Sequence, residues 1–363
     1  MGSIDGLAIA RAVMGEISRV GKHFLPEPLL DRLAGIRGLD PHLDAFLDCS
    51  LDKHEHRFHN RTYLALSLVE RVRADLGLTG DGLAKLLVAD IVRFEIDAAL
   101  RGAANRPDDR SLQTRLKHCL RFVTGVEVAT PERVGPELID LLPAPPVSPW
   151  FAMTVAPVYV LHDEYFFIRV LQSHEMVFTV LADEVRAATA AFRAGSFADG
   201  IARLDHAIST FRRAALLFRI VATVQPSTFH AFREFTQGAS AIQSEQYKRF
   251  EVACGRPAPA RLASDAFTSV PAVRAEALAG HDDLSQAYLE GGFTPGQVRA
   301  LDERIAALEN AHQRWKAAHH GIAARMLGDA AGSGYTSGVP YLRACLDNRL
   351  FRRLDHAGAA IAA

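Results

Sequence analysis

Two adjacent histidines stand near the end of a helical stretch, just before a glycine-rich segment. His319 and His320 precede a break at Gly328, and residues 332–338, GSGYTSG, hold three glycines. A neutral imidazole nitrogen is a good ligand for a metal ion or a haem iron, and glycine lets the backbone approach a ligand closely. A helix end followed by a flexible connection explains the same residues. From this stretch alone, the structural explanation is favoured.

An arginine lies between phenylalanines in residues 229–235, FHAFREF. A guanidinium in apolar surroundings is costly to bury unless it meets an anion. Arg233 could therefore bind the carboxylate of a substrate through two parallel hydrogen bonds. A salt bridge to a structural acid is the alternative, and in isolation it is the better explanation.

A third polar group, His162-Asp163-Glu164, opens a long apolar stretch. Histidine, aspartate and glutamate side chains can all bind a metal ion, but three consecutive residues point in different directions on a helix. A first helical turn with acids near the positive end of the helix dipole is the favoured explanation.

Helices must position all three groups. Apolar residues recur at spacings of three and four, and strand-like alternation is scarce, so the sequence predicts an all-α protein. Asp81 is the expected N-cap of one helix, and residues 256–270 are expected to form a loop. The predicted helices cover 5–20, 27–34, 41–48, 58–76, 80–102, 108–124, 162–192, 198–223, 226–255, 271–279, 295–326 and 340–356.

A proline-rich stretch divides the chain. Residues 126–150 contain six prolines, a density that prevents long helices. We predict an N-terminal helical domain over 1–125, a linker over 126–150 and a helical-bundle domain over 151–363.

Composition limits the classes of partner. The 363 residues carry 41 basic and 42 acidic side chains, a net charge of −1, which implies no long-range attraction to nucleic acid. No apolar run approaches the ~20 residues of a membrane span. Four separated cysteines form no CxxC pair, which argues against zinc ribbons, iron–sulfur clusters and covalent haem attachment. We expect a cytoplasmic protein without a membrane or nucleic-acid partner.

The three polar groups, taken in order, resemble the tryptophan 2,3-dioxygenase family. The matching segments are HDEYFFIRVLQSHEMVF, PSTFHAFREFTQGASAIQSEQYKRFE and WKAAHHGIAARMLGDAAGSGYTSGVPYLR, spread over residues 160–345. The first 145 residues show no such match. The resemblance implies an all-α bundle of the tryptophan 2,3-dioxygenase type, with an extra N-terminal helical region and a bound haem b.

The resemblance also implies roles for individual residues. His319 would bind the iron, and Arg233 the carboxylate of an amino acid. Phe167 would face the substrate ring, with Phe229 and Phe232 as pocket walls. Ser333 stands where the family has a threonine that contacts the substrate. The remaining implied positions near the haem or the bound oxygen are Trp315, Ser240, Ala241 (in place of a glycine), Gly332 and Gly334.

One position departs from the family pattern. The distal histidine that meets the indole N–H falls on Leu171, which cannot accept a hydrogen bond. His174 follows three residues later and is the next polar candidate for a catalytic role. Either packing holds the ring, or the substrate or the reaction has changed.

The resemblance therefore implies a haem-dependent oxygenase that acts with O2 on L-tryptophan or a close aromatic amino acid. An alternative is a haem-dependent monooxygenase or hydroxylase, using O2 or peroxide, that makes specialised metabolites. A non-catalytic haem protein and a cofactor-free helical scaffold are further alternatives. The family pattern leads us to expect a homo-oligomer, either a dimer or a tetramer.

Overall fold

The computed structural model describes residues 5–354 except 329, 331 and 333–335, and in that part the chain contains helices and no strand. The all-α prediction is confirmed. Short 3₁₀ helices lie at Lys22–Phe24, Pro136–Leu141, Ala152–Thr154 and Ala241–Gln243. The α-helices are α1 Gly6–Val20, α2 Glu27–Ala34, α3 Pro41–Ser50, α4 Asn60–Tyr63, α5 Leu66–Asp75, α6 Gly80–Leu100, α7 Asp109–Thr124, α8 His162–Arg193, α9 Phe197–Val221, α10 Pro226–Thr236, α11 Glu245–Cys254, α12 Pro259–Leu262, α13 Asp265–Thr268, α14 Pro271–Ala279, α15 Leu284–Glu290, α16 Pro295–Leu327 and α17 Val339–Cys345.

Two helices that we predicted as continuous are interrupted. The prediction of one helix over 58–76 is wrong, because Ala65 adopts the left-handed conformation (φ 48°) and separates α4 from α5. The prediction of one helix over 226–255 is also wrong, because Gln237 has φ 51° and α11 begins at Glu245. Neither alanine nor glutamine is a residue type that signals a break.

Smaller differences concern helix ends and a predicted loop. The N-cap of α6 is Thr79, whose hydroxyl accepts the N–H of Gly82 at 3.1 Å, rather than Asp81. The predicted terminal helix over 340–356 is shorter, because α17 ends at Cys345. The predicted loop over 256–270 contains the single-turn helices α12 and α13.

Two compact units make up the chain. The described part of the first unit comprises residues 5–174 and 216–241, and that of the second comprises 175–215, 242–328, 330, 332 and 336–354. The predicted linker, 126–150, belongs to the first unit. The assignment of separate domains to 1–125 and 151–363 stays a prediction.

The first unit has a hydrophobic core between α1 and α3. Asp5 caps α1 by accepting the N–H of Ala8 at 3.1 Å. Ala10, Val13 and Ile17 recur at helical spacing and are buried. They pack in one cluster with leucine and phenylalanine side chains of α3.

The second unit is organised around short helices and α16. Thr294 and Gln297 form a capping box that starts α16, so the first turn satisfies its own backbone donors. Buried side chains of α11 to α14 form a further cluster around Phe267. Within the described residues, no helix is both long and apolar enough to cross a bilayer.

Candidate functional site

A buried charge network fixes the start of α8. The Arg115 guanidinium of α7 donates to Asp163 at 2.9 Å and also to Glu95 of α6, and all three side chains are fully buried. His162 Nε2 lies 2.9 Å from the second oxygen of Glu95. Asp163 also accepts the backbone N–H of Gln225 at 2.6 Å. These contacts give the His-Asp-Glu segment a structural role, which is the explanation that the sequence analysis favoured.

Glu164 closes the turn that precedes α8. Its two oxygens accept the backbone N–H groups of Val158 at 2.7 Å and Tyr159 at 3.0 Å. Burial raises the pKa of Glu164 to about 8, against the opposing effect of these two donors. The carboxyl group thus holds the turn through both of its oxygens.

Arg169 and Gln172 anchor one face of α8. Arg169 donates to Asp90 at 2.7 Å and to the hydroxyl of Thr154 at 2.6 Å. Gln172 donates to the Thr154 carbonyl at 2.7 Å and the Leu64 carbonyl at 2.9 Å. Phe167 and Leu171 are each two positions from Arg169, so they lie on the opposite face.

Three phenylalanine rings meet in the first unit. We call Phe167, Phe229 and Phe232 the Phe167 cluster. The ring centroids are 5.3 Å apart for Phe167–Phe232 and 5.6 Å apart for the other two pairs. Phe232 is fully buried, whereas Phe167 and Phe229 are half-buried. These are the residues that the sequence predicted as a wall for an aromatic ring.

Arg233 lies on α10, the helix that carries Phe229 and Phe232. It lies one turn after Phe229, so the two residues share a helix face. The side chain is half-buried, and this burial lowers the pKa of Arg233 from its usual value. A guanidinium next to aromatic rings suits a planar anion such as a carboxylate, which accepts two parallel hydrogen bonds.

Leu171 and His174 occupy the next turn of α8. Leu171 is half-buried and, like Phe167, packs against a buried cluster that contains Tyr63 and Ile168. His174 is buried, with its ring 5.0 Å from that of Phe218. Its Nδ1 lies 3.1 Å from the Val170 carbonyl, which can only accept, so the proton is on Nδ1. In the neutral ring, Nε2 is then an acceptor.

Ser240 and Ala241 follow the break after α10. Ser240 is half-buried, and Ala241 is exposed at the start of a 3₁₀ turn. Their predicted place near a bound oxygen stays a prediction.

His319 and Trp315 lie on α16 in the second unit. The ring of Trp315 is 5.8 Å from that of His319, one turn later. Phe178, Phe211 and Tyr247 surround Trp315 at ring distances of 5.3 to 6.1 Å. Burial, with a smaller contribution from His320, lowers the pKa of His319 to about 4. The imidazole is therefore neutral at physiological pH and has a lone pair for a metal.

Two charged residues of α16, which the sequence did not single out, bind the end of the chain's described part. Lys316 donates to the carbonyls of Cys345 (2.9 Å), Leu346 (3.2 Å) and Asn348. Glu309 accepts the backbone N–H groups of Leu350 at 2.8 Å and Phe351 at 3.3 Å. Together they tie the C-terminal segment, which we define as residues 345–351, to the helix that carries His319. A lysine and a glutamate seven residues apart lie on one helix face, which was the available signal.

The glycine-rich stretch is described in part. Gly332 donates its N–H to the Thr336 carbonyl at 2.9 Å, and a Cβ there would lie 3.0 Å from Cα of Gly338. The turn therefore requires glycine at 332. Ser333 and Gly334 lie outside the described residues.

Comparison with curated proteins finds tryptophan 2,3-dioxygenases. That of Polaromonas sp. (strain JS666) is 29% identical over 232 residues, covering 54% of this chain and 79% of the relative. That of Polaromonas naphthalenivorans is 28% identical over 233 residues, covering 54% and 82%. That of Burkholderia mallei is 26% identical over 234 residues, covering 54% and 76%. No family model matches the chain.

Over about half of its length the chain is similar to tryptophan 2,3-dioxygenases at 26–29% identity, which supports the prediction of a divergent member of that family. The same relatives support the prediction of an oxygenase. The aligned regions leave nearly half of the chain without a counterpart in these relatives. Phe167, Phe229, Phe232 and Arg233 belong to the first unit, and Trp315 and His319 belong to the second.

Proposed function

We propose that this protein is a haem-dependent oxygenase that acts on L-tryptophan or a closely related aromatic amino acid. The observation that carries the proposal is the Phe167 cluster with Arg233 on the same face of α10. Aromatic rings in contact with each other offer edges and faces to a further ring, and the guanidinium provides the partner for a carboxylate. The names of the relatives give tryptophan as the first substrate to test.

His319 is the proposed ligand of the haem iron. A neutral, half-buried imidazole beside Trp315 fits a ligand of the haem iron, because a neutral imidazole nitrogen is the donor that the iron would require. When bound, the haem supplies the iron at which O2 chemistry occurs. Gly332 and the ring of Trp315 are proposed to contact the cofactor. Ser240 and Ala241 are proposed to lie near the bound oxygen.

The protein's own contribution is orientation. Arg233 holds the carboxylate, and Phe167 limits the tilt of the substrate ring, so the reacting carbons keep one position. Phe229 and Phe232 exclude water from the same surface. The proposal assigns a further contact with the substrate to Ser333.

Leu171 favours a second candidate reaction. A leucine cannot accept a hydrogen bond from an indole N–H, so the position that matches the family's distal histidine offers no acceptor here. Insertion of one oxygen atom, by O2 or peroxide, is therefore the competing proposal. The mass of the product after aerobic turnover separates the two reactions, because it rises by two oxygen atoms or by one.

The experiment that tests the proposal replaces the carboxylate partner. Arg233→Ala should keep the haem but weaken amino-acid binding about 10- to 150-fold, the worth of a charge-assisted hydrogen bond. Binding is measured as the shift of the Soret band on titration with tryptophan. Arg219→Ala, which removes an exposed arginine of the same unit, is the matched control and should bind normally. Unchanged affinity in Arg233→Ala would refute the assignment.

A further inference from the structure

An aromatic contact joins the N-terminal region to the helix that carries Arg233. We call Phe24, Tyr159 and Phe235 the Phe24 cluster. The ring of Phe24 lies 5.1 Å from that of Phe235 and 5.7 Å from that of Tyr159. Tyr159 and Phe235 stack at 4.8 Å with an interplanar angle of 22°. Phe24 is 44% exposed, and Lys53 Nζ lies 5.8 Å from the centre of its ring.

The backbone before Phe24 is docked closely on the turn that precedes α8. The Lys22 N–H donates to the Pro157 carbonyl at 2.9 Å. Gly21 has φ 87°, and a Cβ there would lie 2.5 Å from the Val158 oxygen. Glycine is required at this position both for its backbone conformation and for the close approach. The same turn is closed by Glu164.

A buried ion pair fixes the other side of this segment. Lys22 Nζ lies 2.5 Å from Asp52 and donates to the Cys49 carbonyl at 3.0 Å, and both charged side chains are almost fully buried. His23 Nε2 lies 3.2 Å from the second oxygen of Asp52. Residues 21–24 are therefore held at a fixed position, and Phe24 extends from a rigid support.

The Phe24 cluster and the Phe167 cluster contact α10 at neighbouring positions, because Phe235 follows Phe232 by three residues, about 60° around the helix. Phe235 is two positions after Arg233, which places it about 200° around the helix. Phe229, which shares a face with Arg233, and Phe232 contact Phe167 of α8. The helix that carries Arg233 is thus contacted by α8 through Phe167 and by the N-terminal region through Phe24.

We propose that Phe24 is a positioning residue for α10, and that the N-terminal region sets the affinity for the substrate through it. The part that concerns the substrate rests on the proposed function. Phe24 does not touch the substrate; it acts through Phe235 and fixes where Arg233 and Phe229 lie. This gives the N-terminal region, which showed no match to the family, a role in recognition.

The test truncates Phe24 in the haem-loaded full-length protein. Phe24→Ala should raise the amide exchange rate of residues 226–236 about 2- to 12-fold, the worth of an aromatic pair. The KM for tryptophan should rise over the same range, while kcat and haem content change less. Phe24→Tyr keeps the ring and should restore both values. Phe293→Ala removes a half-buried phenylalanine that packs on Phe192 and Phe197, and serves as the control.

The two measurements can fail separately. Unchanged exchange in residues 226–236 of Phe24→Ala overturns the positioning role, whatever the activity. Faster exchange with an unchanged KM overturns the link to substrate affinity. If the wild-type protein consumes no aromatic amino acid, the proposed function fails, and with it the substrate part of this inference. The exchange measurement still decides whether Phe24 holds α10.

Discussion

Replacing Arg115 by methionine should destabilise the first unit strongly. The guanidinium is fully buried, donates to Asp163 and Glu95, and lies 3.7 Å from the ring centre of Phe166. Methionine keeps much of the apolar stem but leaves two buried carboxylates without their cation. Removing one partner of a buried pair costs about 3–5 kcal/mol. We expect the lower end, because Glu95 keeps His162 as a partner.

The assay is urea unfolding followed by circular dichroism, with the free energy of unfolding taken from midpoint and slope. Arg121→Met on the same helix is the control, since its ion pair with Glu127 is exposed and worth about 0–1 kcal/mol. If Arg115→Met lowers the free energy of unfolding by less than about 1 kcal/mol, or by no more than Arg121→Met does, the network does not fix α8. A second variant, Asp163→Asn, keeps the shape and should show part of the same loss.

Two further predictions concern the second unit. His319→Ala should abolish stable haem binding, measured as the Soret absorbance of haem-reconstituted protein, whereas His320→Ala should retain it; equal retention would contradict the assignment of the iron ligand. The pKa of Glu251 is lowered to about 2, because the positive charges of Arg261 and Lys248 outweigh the opposing effect of burial. Because this folded-state pKa is below the unfolded value, the stabilisation is present above about pH 4.5 and lost as the pH falls toward 2, an effect on the order of 2–3 kcal/mol. Urea unfolding at pH 7 and pH 3 should show a smaller pH dependence in Glu251→Gln than in the wild type, and an unchanged dependence would contradict it.

The helices that position the site were predictable because they carry their own signals. Regular apolar spacing predicted α8 and α16 nearly to the residue. The residues of the Phe167 cluster were named from the family pattern, and the structure brings their rings together.

The interruptions and the buried partners were not predictable. Ala65 and Gln237 adopt positive φ values that their residue types do not favour, so tertiary contacts must impose them. The ion pair between Arg115 and Asp163 joins residues 48 positions apart, and nothing in either segment names the other. Phe24 carried no motif, because its contact with Phe235 depends on how the N-terminal region docks.

The polar anchors of α8 have a consequence for how related chains can vary in length. Asp163 and Arg169 are each tied to partners on other helices, and Phe167 lies between them in the sequence. Inserting or deleting one residue in this interval would turn the phenylalanine by about 100° and shift it by about 1.5 Å along the helix. Either an anchor or the ring contact would then be lost. Natural variants of this protein can therefore differ in residue type between positions 163 and 169, but the number of residues in this interval should stay constant.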